Sequence, residues 1–194
     1  MTYEELKAQI ADTLNRQDLT SVIPSFITMC EANLNRDLNH WRMEKRAATS
    51  FSDRYHTLPT DWIKTNRIQL DTGEPLTMIS IDEMQSLRYS ESNGKPKFYA
   101  HVAGEIELYP TPDESYDGQL YYQAKIPALS TGDNWVDDDV YLYGSLVHAA
   151  PYLQSDERLG LWVGLYNQAV MKLNSQSNSS KYSGTGLKMK LRGK

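Results

Sequence analysis

The sequence of 194 residues contains a single cysteine, Cys30, and no long apolar run. One cysteine excludes an internal disulfide and any cysteine-rich zinc site. No segment approaches the roughly 18 consecutive apolar residues that a membrane-spanning helix needs. The N-terminus is polar and acidic, which is not typical of a secretory signal. These absences indicate a soluble protein of a reducing compartment that makes no membrane contact and is long enough to bury one substantial core.

The sequence also lacks the common motifs of catalysis and cofactor binding. The patterns G-x-x-x-x-G-K-[ST], G-x-G-x-x-G and G-x-S-x-G are absent, and the four histidines form no H-x-x-x-H or H-E-x-x-H pair. Cys30 falls on the predicted apolar stripe of the second helix, which favours a core position over a nucleophile. The members of that stripe are Ile23, Phe26, Ile27, Cys30, Leu34 and Leu38. We therefore predict that the chain is not an enzyme and has no catalytic, metal-binding or cofactor-binding residues and no cofactor.

Acidic and aromatic residues leave two alternatives open. Asp137, Asp138 and Asp139 could supply oxygen ligands to a metal-dependent hydrolase or nuclease, although helix capping and interaction with the helix dipole explain three adjacent acids more simply. Glu105 and Glu107 share one face of a predicted strand, where we expect a solvated edge. The 13 tyrosines and 4 tryptophans would also suit a carbohydrate-binding, host-recognition module.

Charge is distributed unevenly along the chain. The net charge is −5, and residues 175–194 contain five basic and no acidic residues, so the preceding 174 residues carry −10. Apolar and basic residues alternate from Leu187 to Arg192, as in a strand that adds to a partner's sheet. A basic end without a role and an unspecific contact with nucleic acid remain alternatives. The predicted partner-binding residues are Lys181, Tyr182, Leu187, Lys188, Met189, Lys190, Leu191 and Arg192.

Hydrophobic periodicity predicts two helices at each end of the sequence. Thr2 and Glu5 have capping-box spacing at the start of the first helix, and a second helix begins near Ser21. The third follows the aspartate cluster, and the fourth is capped by Ser155 and ends before Ser175, where the composition becomes polar. The predicted buried face of this last helix consists of Leu159, Trp162, Tyr166, Ala169, Val170 and Leu173.

The middle of the sequence alternates strand-like segments with turn residues. Ala103 and Gly104 are predicted to form a hairpin turn, and Pro75 to Ile79 a return strand after a turn at 71–74. Ser80 opens one short helix. The predicted fold is therefore α+β, a helical bundle with an inserted antiparallel β module and an extended C-terminal tail. The predicted parts are the bundle (1–44 and 133–174), the β module (45–132) and the flexible basic tail (175–194).

Segments throughout the chain resemble one family. They include Ile23 to Ile27, Glu31 to Leu38, Met43 to Ala47, Tyr55 to Trp62, Gly94 to Tyr99, Leu108 to Pro112 and Asp156 to Arg158. The most specific are Tyr121 to Leu129 and Leu142 to Leu153. In these segments the chain resembles the head-to-tail adaptor, or connector, proteins of short-tailed and related tailed bacteriophages.

The resemblance implies a structural virion protein without enzymatic activity, assembled in the cytoplasm of the host bacterium. Its copies would form a homo-oligomeric ring, a dodecamer that matches the portal protein, between the portal and the tail or nozzle proteins. The C-terminal segment would dock on the portal. Genome DNA would pass through the lumen without specific binding, and an acidic ring wall would repel its phosphates.

Overall fold

The computed structural model describes residues 1–90, 92–132, 134–153 and 157–182, without the side chain of Tyr182. The chain divides into two compact units. The helical unit consists of Met1–Trp41 and Ile126–Lys194, and the β unit consists of Arg42–Lys125. The predicted α+β class is confirmed. Among the described residues, no helix combines the length and apolar character required to cross a bilayer.

Five helices and seven strands make up the described structure. The helices are α1 (Tyr3–Leu14), α2 (Ile23–Asp37), α3 (Ile81–Arg88), α4 (Asp138–Ala149) and α5 (Leu159–Tyr182). The strands are β1 (Glu44–Phe51), β2 (Tyr55–Thr57), β3 (Trp62–Leu70), β4 (Thr77–Met78), β5 (Phe98–Val102), β6 (Glu105–Tyr109) and β7 (Tyr116–Ala124). Helix α3 and all the strands belong to the β unit.

The helical unit is built around α4, which packs against α1, α2 and α5. The predicted capping box begins α1, where Thr2 Oγ1 accepts the Glu5 N–H at 3.2 Å and a Glu5 carboxylate oxygen accepts the Thr2 N–H at 2.7 Å. The apolar stripe predicted for α2 is also confirmed, because all its members are buried. The residues of that stripe are Ile23, Phe26, Ile27, Cys30, Leu34 and Leu38.

Gly144 allows α2, α4 and α5 to approach one another closely. A Cβ atom at this position would overlap the Cys30 sulfur and lie 3.0 Å from the Tyr166 ring. We expect Gly144→Ala to lower the free energy of unfolding by about 1–3 kcal/mol in urea titrations, because overpacking forces neighbours out of position.

Two variants control this prediction. Adding Cys30→Ala should recover part of the loss, since it removes the overlapping atom. The exposed Gly164→Ala should stabilise the chain by up to about 1 kcal/mol, because an added Cβ there meets nothing within 4 Å. Equal effects of the two glycine substitutions would contradict the packing described for α4.

The β unit consists of two sheets and one helix. The first sheet has the order β1-β7-β3, with β7 central and antiparallel to both neighbours. The second has the order β2-β6-β5-β4. Residues from both sheets share one core, to which Phe51, Leu120 and Ile106 belong. Helix α3 packs on the second sheet through Met84, which lies against Ala100.

The predicted return strand from Pro75 to Ile79 pairs with β3 only at its start, and the prediction of an antiparallel module was wrong for β4. Pro75 bridges back to β3 at Gln69 and the Leu76 N–H donates to the Ile68 carbonyl at 2.9 Å, whereas β4 pairs in parallel with β5. The chain leaves the first sheet because Ile79 is buried in the cluster beneath α3. The predicted hairpin of β5 and β6 around Ala103 and Gly104 is confirmed.

The predicted end of the last helix before Ser175 was also wrong, because α5 continues through polar residues. Asn174 Oδ1 accepts the backbone N–H of Asn39 at 3.0 Å, and Ser177 Oγ accepts that of Trp41 at 2.9 Å. Ser177 is completely buried. These polar side chains therefore form tertiary hydrogen bonds with the segment that follows α2. The polar composition of the sequence does not indicate such bonds.

Candidate interaction surfaces

The predicted docking tail is described only at its start. Lys181 is exposed in the last turn of α5, and Tyr182 is the last residue of that helix. The alternating segment lies outside the described residues, so its strand conformation and its role in binding stay predictions. Its members are Leu187, Lys188, Met189, Lys190, Leu191 and Arg192. The predicted capping residue Ser155 also lies outside the described residues.

The aspartate cluster lies exposed at the start of α4. Asp137 occupies the N-cap position, but its side chain caps no N–H, so the predicted capping role was wrong for this residue. Asp138 instead forms an ion pair with the N-terminal ammonium of Met1 at 3.0 Å. Asp139 Oδ1 accepts the Val140 N–H at 2.9 Å. In the part of the chain that the structure describes, no three His, Cys, Asp or Glu residues are grouped to hold a metal ion.

Burial shifts the pKa values of Cys30 and of three partly buried histidines. Desolvation raises the pKa of the Cys30 thiol to about 12, so the thiol stays protonated and unreactive at neutral pH. Desolvation also lowers the pKa values of His56, His101 and His148 below the ordinary value. For His148 the geometry agrees, because the Asn33 amide donates to its Nε2 at 2.8 Å while accepting from Arg36.

These histidines predict a specific acid sensitivity. Since their folded pKa values lie below the unfolded value of about 6.5, the unfolded chain binds more protons, and stability falls as the pH drops through and below that value. We expect less urea to unfold the chain at about pH 5.5 than at about pH 7.5. His148→Gln should reduce this difference, and an NMR titration should place the His148 pKa below 6.5. A normal or raised pKa would contradict the partly buried, neutral state of His148.

Helix α5 has an apolar outer face in addition to its buried face. Its buried residues include Trp162, Val170 and Leu173. The outer face of α5 is defined here by Gly160, Leu161, Val163, Gly164 and Met171, and Leu161 and Met171 are 61% and 71% exposed. Leu159, predicted to be buried, is 36% exposed. A helix that is apolar on opposite sides is typically covered on both, so the outer face is a candidate protein interface.

Glu107 was predicted to lie at a solvated edge, and that prediction was wrong. It is 1% exposed, and its Oε1 accepts from Arg54 Nη2 at 2.7 Å and from Arg88 Nε at 2.5 Å. Arg88, the last residue of α3, also donates to the Leu108 carbonyl at 2.8 Å and to Thr111 Oγ1 at 3.2 Å. This buried clamp fastens α3 to the second sheet and has a structural role.

The residues described in this subsection form interaction surfaces and structural ion pairs. A comparison with known protein families indicates the kind of protein that carries them. The sequence profile of the SU10 adaptor protein family matches residues 1–188. The chain belongs to this family. The match runs through both units and confirms the resemblance to phage adaptor proteins seen in the sequence. No curated protein matches the chain.

Membership in the SU10 adaptor family indicates a structural role in a bacteriophage particle, in association with other virion proteins. Of the features described above, the outer face of α5 could have been found in the sequence. Leu161, Val163 and Met171 fall outside the stripe assigned to the core, and their apolar character was the available signal. The Glu107 clamp has no comparable local signal, because α3 and β6 meet only in the folded β unit.

Proposed function

We propose that this chain is the subunit of a ring-forming head-to-tail adaptor that links the portal to the tail of a bacteriophage. The family match over residues 1–188 carries the proposal. In this account the ring contains twelve copies, its C-terminal segments dock on the portal, and its opposite side meets tail or nozzle proteins. Genome DNA passes through the lumen without specific binding.

The outer face of α5 supports ring formation. A head-to-tail interface repeated around a closed ring covers the same patch on every copy, so no subunit is left with its apolar patch in water. Burial of Leu161 and Met171 would contribute about 1.5–3 kcal/mol for each side chain. Two such residues at a repeated interface suit assembly of a soluble subunit into a ring.

The charge distribution supports the placement of DNA and of the portal. The 174 residues before the tail carry a net charge of −10, since the whole chain carries −5 and the tail +5. A lumen wall formed by an acidic body repels DNA phosphates and lets the genome slide. The tail, in which basic and apolar residues alternate, can in turn bind a partner that presents an acidic surface or an exposed sheet edge.

Deleting residues 183–194 tests the docking role. The deletion leaves Asn174 and Ser177, which bind the segment after α2, so the subunit should keep its circular dichroism spectrum and unfolding midpoint. It should no longer co-sediment with portal rings of the same phage. A chain carrying the same tail residues in scrambled order is the matched control for charge alone. Unchanged co-sedimentation of the deletion variant would contradict docking through the tail.

A further inference from the structure

The open face of the β1-β7-β3 sheet carries a row of two arginines and a tyrosine. Arg46 on β1 pairs with Tyr121 on β7, which in turn pairs with Arg67 on β3. The next row, Ala47, Leu120 and Ile68, belongs to or packs against the core between the sheets. Since successive residues of a strand alternate between faces, the side chains of the arginine row point away from that core.

The two guanidinium groups of the arginine row lack counter-ions. Arg46 and Arg67 are exposed, and neither guanidinium group makes a hydrogen bond or ion pair with any residue that the structure describes. By contrast, Arg16 pairs with Asp18, and the β unit's Arg54 and Arg88 share Glu107. Adjacent strands lie about 4.8 Å apart, so the Cα atoms of Arg46 and Arg67 are separated by roughly 10 Å.

A depression of about 490 Å³ lies at the arginine row. Besides the row itself, Glu44, Lys45, Asn66 and Gln69 line it. The amides of Asn66 and Gln69 can donate and accept hydrogen bonds, as a peptide backbone requires. Glu44 is the one acidic residue among the lining residues. The depression therefore combines two cationic forks, an aromatic ring and amide groups on a rigid sheet.

We propose that the arginine row binds a short acidic segment of a protein partner. Neither arginine of the row has a counter-ion among the described residues, and a guanidinium group binds a carboxylate in bidentate geometry. Tyrosine and arginine are also the residues that most often dominate protein interfaces. An extended peptide advances about 3.3 Å per residue and alternates its side chains, so carboxylates two residues apart lie on one side about 6.6 Å apart. The long side chains of two arginines whose Cα atoms are roughly 10 Å apart can converge on that spacing.

The same observations favour an acidic peptide over nucleic acid. Nucleic-acid binding typically draws on many phosphate contacts, of the order of six to ten, spread along a basic surface. Here two arginines and Lys45, which is paired with Asp61, lie beside Glu44 in a body whose net charge before the tail is −10. A long polyanion would meet repulsion beyond the arginine row, whereas a short acidic segment would not. The inference holds for a single subunit and does not depend on ring formation.

Fluorescence anisotropy with a labelled hexaglutamate peptide at low salt tests the proposal with the full chain. We expect saturable binding that Arg46→Gln combined with Arg67→Gln weakens by roughly tenfold or more, because two charge-assisted interactions are lost. The matched control, Arg16→Gln combined with Lys125→Gln, removes the same charge from exposed positions elsewhere and should change the affinity less than about twofold, since net charge alone contributes little. Both double variants should unfold at the wild-type urea midpoint.

Three outcomes would overturn the proposal. One is a wild-type chain that does not bind the peptide. Another is an equal loss in the two double variants, which would mean attraction by net charge alone. The third is that the wild-type chain binds a short DNA duplex more tightly than the peptide, and that Arg46→Gln combined with Arg67→Gln abolishes this binding to DNA. That result would make the arginine row a nucleic-acid surface.

Discussion

Replacing Glu107 by alanine will lower the free energy of unfolding of the chain by about 3–5 kcal/mol. The substitution removes the carboxylate shared by Arg54 and Arg88 and leaves the Arg88 side chain, which is 13% exposed, without its counter-ion. Breaking a buried ion pair by removing one partner costs more than the pair contributes, because the remaining charge stays desolvated. Urea unfolding of the full chain measures the loss, and hydrogen exchange in β6 and α3 localises it.

Glu105→Ala is the matched control for this prediction, because Glu105 lies on the same strand, is not buried and forms none of the ion pairs found in the described part of the chain. We expect it to change the free energy of unfolding by less than about 0.5 kcal/mol, as is usual for substitutions outside the core and away from ion pairs. Glu107→Leu combined with Arg88→Met should recover much of the lost free energy of unfolding, since apolar pairs substitute well for buried ion pairs. An equal cost of Glu105→Ala and Glu107→Ala would contradict the clamp.

Placing charge on the outer face of α5 will prevent assembly while leaving the subunit folded. Leu161→Asp combined with Met171→Asp alters two exposed side chains, so the unfolding midpoint of the isolated subunit should hardly change. In a ring each copy would lose about 1.5–3 kcal/mol of apolar burial per residue and gain desolvated carboxylates. The ring population at micromolar protein should then fall by roughly a hundredfold or more, as measured by native mass spectrometry.

The control for assembly adds the same charges to other helices. Gln9→Asp in α1 and Gln85→Asp in α3 alter exposed residues that are not part of the outer face of α5. This variant should assemble as the wild type does. If the Leu161 and Met171 variant also forms rings of normal size and stability, the outer face of α5 is not the interface between copies.

Local structure was the part of this fold that the sequence predicted well. The capping box of Thr2 and Glu5 and the apolar stripe of α2 are encoded within a few neighbouring residues, and both are confirmed. The hairpin at Ala103 and Gly104 is similar, because both residues adopt the positive φ angles that a tight turn requires. In each case the interacting groups lie close together in the sequence.

The errors concern residues whose partners are distant in the sequence. The sequence placed Ser177 in a polar tail, but Ser177 lies in α5 and its hydroxyl oxygen accepts the N–H of Trp41. Glu107 looked like a solvated residue, but arginines from two other segments neutralise it. The arginine row was missed for the same reason, since β7 brings Arg46 and Arg67 to one face. The periodicity of apolar residues within a short stretch of sequence does not indicate which distant segments will be in contact.

The functional interpretation rests on the resemblance to adaptor proteins. The described residues add two surfaces through which an adaptor subunit can bind its partners. Residue patterns alone left a hydrolase at Asp137 to Asp139 and a carbohydrate-binding module as alternatives. The SU10 adaptor family match replaces these with a structural role in the virion. The outer face of α5 and the arginine row are surfaces on which that role can be tested residue by residue.

Imaging the full chain mixed with the portal protein of the same phage tests the central claim most directly. We expect electron microscopy to show a closed ring of twelve copies seated on one end of the portal, with the C-terminal segments in contact with it. A chain that remains monomeric, with no density on the portal at saturating concentration, would contradict the assignment as a head-to-tail adaptor and favour a free-standing recognition module.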